Sequence, residues 1–268
     1  MQIMSKTIAV CNKKGGVAKT TSAVNLAAAL VREKKSVLVL DLDPQHDATK
    51  ILQIKDKPLK QTISDLLEQS ETLSDTSNID LSDDGIAFIG SSNRLTSTEI
   101  RLAGEMYRET ILKRAINGIK DMYEYIIIDC PPSTGLLTIN ALATADGVII
   151  PVQANDFSSL DGFNELMKYI TLTQSQINPN LSVAGILITK YSPVTNIAKF
   201  VCENVEKIQN IPIFDTKIRL STTVAEAPAF RKNLFEYRAK DKATVDYQEL
   251  AKEVIKKYGL QEATDGCG

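Results

Sequence analysis

Thr7-Ile8-Ala9-Val10-Cys11-Asn12 runs into Lys13-Lys14-Gly15-Gly16-Val17-Ala18-Lys19-Thr20-Thr21, and from Thr20 to Glu33 the residues read as a helix. A strand, a glycine-containing turn and a helix thus follow one another without a gap. Such a junction exposes backbone N–H groups and the positive end of a helix dipole, where a phosphate is favoured. Lys19 would neutralise the outer phosphates, and the Thr20 hydroxyl can reach Mg²⁺. Lys14, Gly15, Gly16, Val17, Ala18, Lys19, Thr20 and Thr21 are the expected nucleotide-binding residues. The common G-x-x-x-x-G-K-[ST] pattern is not met, because Lys13 and Ala18 occupy its glycine positions. Ala18 is expected to be turning into the helix already, where a Cβ is tolerated.

Strand-length apolar runs recur outward from this junction at Ser36–Asp41, Ile86–Gly90, Tyr125–Asp129, Gly147–Pro151 and Val183–Thr189. They are rich in Val and Ile and nearly continuous, as strands covered on both faces should be. Helical stretches lie between and after them, at Thr98–Met122, Ser158–Gln176, Asn196–Gln209 and Ala243–Tyr258. This alternation predicts an α/β fold, a mostly parallel twisted sheet with helices on both faces. Ser70–Asp84 reads as a surface loop or a short helical excursion, since the strand pattern resumes after it. One domain over 1–268 is expected, with its core at about 7–258 and a frayed tail over 259–268.

Composition narrows the function classes. The chain has 268 residues, a net charge of −2, 43% hydrophobic and 24% charged residues, which excludes a disordered or collagen-like chain. No apolar run approaches the ~18 residues of a membrane span, and the short polar start is unlike a secretory signal. Cys11, Cys130, Cys202 and Cys267 are scattered without a CxxC pair, and His46 is the only histidine. Both facts argue against a disulfide scaffold or a zinc site and suit a reducing cytoplasm. Charge is uneven: Asp56–Glu109 holds 5 basic and 11 acidic residues, whereas Lys217–Lys242 holds 7 basic and 3 acidic.

Two further segments add carboxylates to the phosphate loop, and a third stands beyond them. Asp41-Leu42-Asp43-Pro44-Gln45 ends the second strand, and Ile126-Ile127-Ile128-Asp129-Cys130-Pro131-Pro132 ends another. Carboxylates at the carboxyl edge of a parallel sheet face a Mg²⁺–phosphate site. The prolines stiffen the exit so that Ser133–Gly135 can sense the outermost phosphate. Cys130 reads as a small buried residue. Ala225-Glu226-Ala227-Pro228, preceded by Ile218-Arg219, completes the set.

Together these segments resemble the deviant Walker A ATPases, the group of ParA/Soj partition ATPases, MinD division-site regulators and the nitrogenase iron protein. The likeness runs from about Thr7 to Tyr258 and is strongest to the ParA/Soj branch. It implies a P-loop NTPase domain using ATP and Mg²⁺. It makes Lys14 the signature lysine that reaches the partner's ATP in a nucleotide-sandwiched homodimer. It makes Asp43 the residue that orients the attacking water, so that Lys14, Lys19 and Asp43 form the catalytic set. Thr20, Asp41 and Asp129 would serve the metal, and the segments around Thr189 and Pro228 are candidates for the base pocket. Two departures stand out: Thr223 replaces a second arginine before the EAP segment, and Arg231-Lys232-Asn233 replaces a Gly-Lys-Pro after it.

Within that group the output differs. An iron–sulfur site needs a suitably spaced second cysteine near Cys130, which the sequence lacks. A MinD-like membrane-cycling factor is the alternative. However, the end from Lys256 to Gly268 is polar, interrupted by Gly259 and without Phe or Trp, unlike an amphipathic anchor. No membrane partner is therefore expected. The basic stretch favours nonspecific DNA, with Lys217, Arg219, Arg231, Lys232, Arg238, Lys240 and Lys242 as phosphate contacts and Lys199 as an outlying one. The resemblance then implies a plasmid or chromosome partition ATPase, cytoplasmic and nucleoid-associated. A ParB-type centromere-binding protein would stimulate its hydrolysis.

Overall fold

The computed structural model describes residues 5–69 and 72–259. The expected frayed tail therefore lies outside the described residues beyond Gly259, as does Cys267. Seven strands form one sheet: β1 Lys6–Val10, β2 Val37–Asp41, β3 Asp80–Leu81, β4 Ala87–Ile89, β5 Tyr125–Asp129, β6 Gly147–Gln153 and β7 Ser182–Thr189. Their order is β3-β4-β2-β5-β1-β6-β7. All neighbours run parallel except the edge strand β3.

The helices are α1 Lys19–Arg32, α2 Asp47–Leu52, α3 Ile63–Glu68, α4 Leu95–Leu102, α5 Ile111–Ile116, α6 Leu136–Thr144, α7 Ser159–Gln176, α8 Asn196–Glu206, α9 Thr222–Glu226, α10 Leu234–Arg238 and α11 Lys242–Tyr258. Strand residues alternate between two apolar layers. Ala9, Leu38, Leu40, Ile126 and Ile128 pack with α3 to α8. Ile8, Val10, Val37, Val39 and Ile127 pack with α1, α2, α10 and α11. Both faces of the central strands are thus covered, which explains their unbroken apolar runs.

The chain leaves β1 through α1 toward β2, and leaves β5 through α6 toward β6. These connections diverge from adjacent strands, so a crevice opens at the carboxyl ends of β1 and β5, where ligands of such sheets bind.

Some expectations need correcting. The single helix predicted over Thr98–Met122 is broken: α4 stops at Leu102, and Tyr107 takes a left-handed φ of 54° before α5 begins. Part of Ser70–Asp84 is the antiparallel strand β3 rather than loop. Helices α2, α3, α6, α9 and α10 lie outside the predicted helical stretches. Two of them carry capping boxes, a pattern legible in sequence: Thr62 with Asp65 and Asn233 with Glu236.

Candidate functional site

A cavity of about 650 Å³ lies over the carboxyl edge of the sheet. Gly15, Gly16, Ala18, Lys19, Thr20 and Thr21 form one wall, and Asp43, Gln45 and Asp47 another. Thr189, Lys190 and the segment Ile218–Ser221 with Val224 and Ala225 close the far side. Gly16 has a φ of 76°, and Ala18 is also left-handed at φ 71°, ψ 34°. The position therefore demands the glycine-like conformation, and Ala18 is strained rather than already helical as expected. Asn12 braces the loop: its Oδ1 accepts from the Lys14 N–H at 3.0 Å and its amide donates to the Pro151 carbonyl. Helix α7 comes so near that a Cβ on Gly162 would lie 2.6 Å from that Oδ1. Val17 is buried and anchors the loop by accepting from the Thr189 hydroxyl.

Lys14 and Lys19 point different ways. Lys19 is buried, and its ammonium donates to the Lys14 carbonyl at 2.8 Å. Burial lowers its pKa, and nearby Asp129 partly offsets this. The Lys14 side chain does not wall the cavity. Its ammonium pairs with Asp156 at 3.1 Å and donates to the Ser158 hydroxyl. The Ser158 hydroxyl and N–H together with Lys14 hold the Asp156 carboxyl well below the usual range. Neither Asp156 nor Ser158 was singled out from the sequence, although Asp-x-Ser just before a helix is a legible turn signal.

The three carboxylates differ in the same way. Asp129 is fully buried, and neither oxygen has a hydrogen-bond partner among the described residues. Burial and the neighbouring Asp41 push its pKa well up; Thr20 and Lys19 counter only in part. An unpartnered buried carboxylate next to a hydroxyl fits a hard divalent cation, which uses such oxygens. Asp41 is otherwise engaged. It accepts from the Thr49 N–H and hydroxyl at 2.9 and 2.6 Å and from the Asp43 N–H at 3.1 Å. Burial pushes it up to about 6. These bonds hold the start of α2 and the Asp43 turn in place. Asp43 lines the cavity itself, and burial raises its pKa too.

The remaining expected residues divide. Pro228 is exposed and does not wall the cavity, because α9 intervenes; Val224 and Ala225, one turn earlier, take that place. Arg231, Lys232, Arg238, Lys240 and Lys242 are exposed along one continuous stretch around α10 and the start of α11. The Lys217 ammonium lies 5.2 Å from the Tyr191 ring centre. Lys199 sits on α8, which packs on the opposite face of the sheet, so the structure does not bring it into that stretch. Arg219 is spent on an ion pair: its guanidinium binds Asp246 at 2.7 to 3.0 Å and the Lys242 carbonyl at 3.1 Å. Ser221 and Thr223 both donate to Asp241, which caps α11. The cavity wall is thus stitched to the basic end of α11, a link that no local pattern announces.

A family model described as an AAA domain matches residues 5–183. The sporulation initiation inhibitor protein Soj of Bacillus subtilis (strain 168) is 39% identical over 257 residues, covering 94% of this chain and 98% of that protein. The chromosome partitioning protein ParA of Myxococcus xanthus (strain DK1622) is 35% identical over 255 residues, with 95% and 89% covered. Among solved structures, cobyrinic acid a,c-diamide synthase from Mycobacterium smegmatis with bound ATP analog and magnesium superposes with a TM-score of 0.83. It is 29% identical, and 95% of this chain and 96% of that chain are covered.

Proposed function

The chain belongs to the AAA-domain family of ParA/MinD-type P-loop ATPases, and on that premise we propose that it is an ATP-dependent DNA-partition ATPase acting as an ATP-sandwiched dimer. The observation that carries this reading is the divergence of the two lysines. Lys19 lies inside the cavity, where it serves its own protomer's phosphates, while Lys14 is held at the rim by Asp156 and Ser158. A cation that does not face its own cavity is suited to the triphosphate of a second copy. There it offsets charge that one lysine and one divalent ion leave uncompensated.

ATP is the substrate, with its phosphates on Gly15 to Thr21 and its base against Thr189, Val224 and Ala225. Asp129 and Thr20 would hold Mg²⁺, which when bound screens the phosphate charge. Asp43 orients the attacking water, and Asp41 fixes the Asp43 turn through Thr49. Dimerisation brings two basic stretches into one particle. Phosphate contacts that are weak singly become strong by linkage, so ATP state sets residence on DNA. The ATP-bound dimer is thereby nucleoid-associated, and a ParB-type partner stimulates hydrolysis and releases monomers from the DNA. No helix among the described residues is long and apolar enough to cross a membrane.

Sedimentation with plasmid DNA and, separately, with anionic vesicles, each with ATP or ADP, tests the reading. Retention on DNA with ATP alone is expected, and it should persist when Asp43→Ala blocks turnover. Equal DNA binding with ADP would sink the switch, and ATP-dependent vesicle binding in place of DNA binding would favour membrane cycling.

A further inference from the structure

Two thiols lie beneath this machinery without a part in it. Cys11 follows β1 and leads into the phosphate loop, and Cys130 follows Asp129 at the end of β5. These strands are parallel neighbours with Val10 opposite Asp129, so each cysteine stands one residue past the last registered pair. Both belong to the apolar layer that holds Ala9, Ile128 and Ala141, so both side chains point to the same side of the sheet. Their sulfurs are 2.7 Å apart, although 119 positions separate them in the chain. A disulfide needs ~2.05 Å between sulfurs and a Cα separation of about 4.4–6.8 Å, and neighbouring strands run ~4.8 Å apart. The bond can therefore close with little movement of the backbone.

We propose that Cys11 and Cys130 are a reversible disulfide site through which a peroxide switches the phosphate site off. One thiol loses its proton and attacks a peroxide oxygen, giving a sulfenic acid and one water. The neighbouring thiol then displaces the second oxygen, which leaves as water. Two electrons and two hydrogens pass from the thiols to hydrogen peroxide, and an external thiol returns them. Both thiols are buried, so oxidation waits on local opening and responds to sustained oxidant rather than to traces.

The bond would join the root of the phosphate loop to the residue after Asp129. Lys14 lies three residues beyond Cys11, and Asp129 one before Cys130. Fixing their separation removes the adjustment that triphosphate and metal require. The crosslink itself is independent of the proposed function, whereas its effect on turnover rests on that reading.

The test uses the full chain with Cys202→Ala and Cys267→Ala, treated with hydrogen peroxide. The expected result is an intact mass lower by two hydrogens and a non-reduced peptide joining Cys11 to Cys130, both reversed by dithiothreitol. ATP turnover should fall by roughly tenfold to a hundredfold, since a misplacement of about 1 Å can cost on the order of a hundredfold, and recover on reduction. Adding Cys11→Ala should abolish both effects; its thermal melt reports whether the fold is intact. Oxygen addition without a crosslink, or no change in mass, overturns the site. A crosslink with unchanged turnover overturns the switch. A reduced protein without turnover refutes the ATPase reading and leaves the mass readout to decide the site.

Discussion

At Ala18 the chain pays for a side chain where the loop wants none. A left-handed non-glycine residue costs roughly 1–2 kcal/mol, so Ala18→Gly should stabilise the fold by about 1 kcal/mol. That raises Tm by about 2–4 °C in a chain of this size, which a thermal melt would register. Asp129 holds a different tension. Its folded pKa is raised, so the folded state binds the proton more tightly than the unfolded one. Stability is then highest below the ordinary carboxylate pKa and is lost as pH rises through the folded value. Asp129→Asn should accordingly raise the Tm of the nucleotide-free protein near neutral pH. The same change should erase the thermal shift produced by ATP with Mg²⁺. A variant that melts lower without nucleotide would contradict this account of the carboxylate.

At the scale of elements, two connections set how the site is wired. The turn between β6 and α7 holds Lys14 through Asp156 and Ser158. Asp156→Asn should loosen that hold and lower the protein concentration at which ATP produces dimers, with nucleotide affinity of the monomer little changed; analytical ultracentrifugation reads both states. The second connection joins the wall Ile218–Val224 to α11 through Arg219–Asp246 and Asp241. Arg219→Ala strands a buried carboxylate, a loss of about 1–3 kcal/mol, and displaces the wall. It should weaken ATP binding as well as DNA binding. Lys240→Ala with Lys242→Ala should weaken DNA binding alone. Calorimetric ATP titrations on the two variants separate these outcomes, and unaltered ATP binding by Arg219→Ala would return that residue to simple DNA contact.

For the whole molecule, charge is partitioned while the total stays near zero. The acidic run Asp56–Glu109 surrounds α3 and α4, and the basic run surrounds α10 and the start of α11. Affinity for DNA should fall linearly with salt on a double-logarithmic scale, with a slope that shrinks by about 1 for each contacting lysine removed. A slope unaffected by Lys240→Ala and Lys242→Ala would move the DNA surface elsewhere.

The sequence by itself determined the parallel α/β sheet, the phosphate loop and the order of its carboxylates. Each of these is a local signal: unbroken Val/Ile runs mean two covered faces, and a glycine turn between strand and helix means exposed N–H groups. Only the tertiary structure decided what those residues touch. Asp41 and Asp129 look alike at strand ends, but one accepts from Thr49 and Asp43 and the other has no hydrogen-bond partner among the described residues. Lys14 and Lys19 share one loop and diverge because Asp156 and Ser158 return to it from the far end of β6. Arg219 reads as a surface cation until Asp246 meets it, and Cys11 meets Cys130 across two strands far apart in the chain. Spacing along a chain fixes backbone conformation within a turn or two, while the partner of a side chain is set by which strands the sheet makes neighbours.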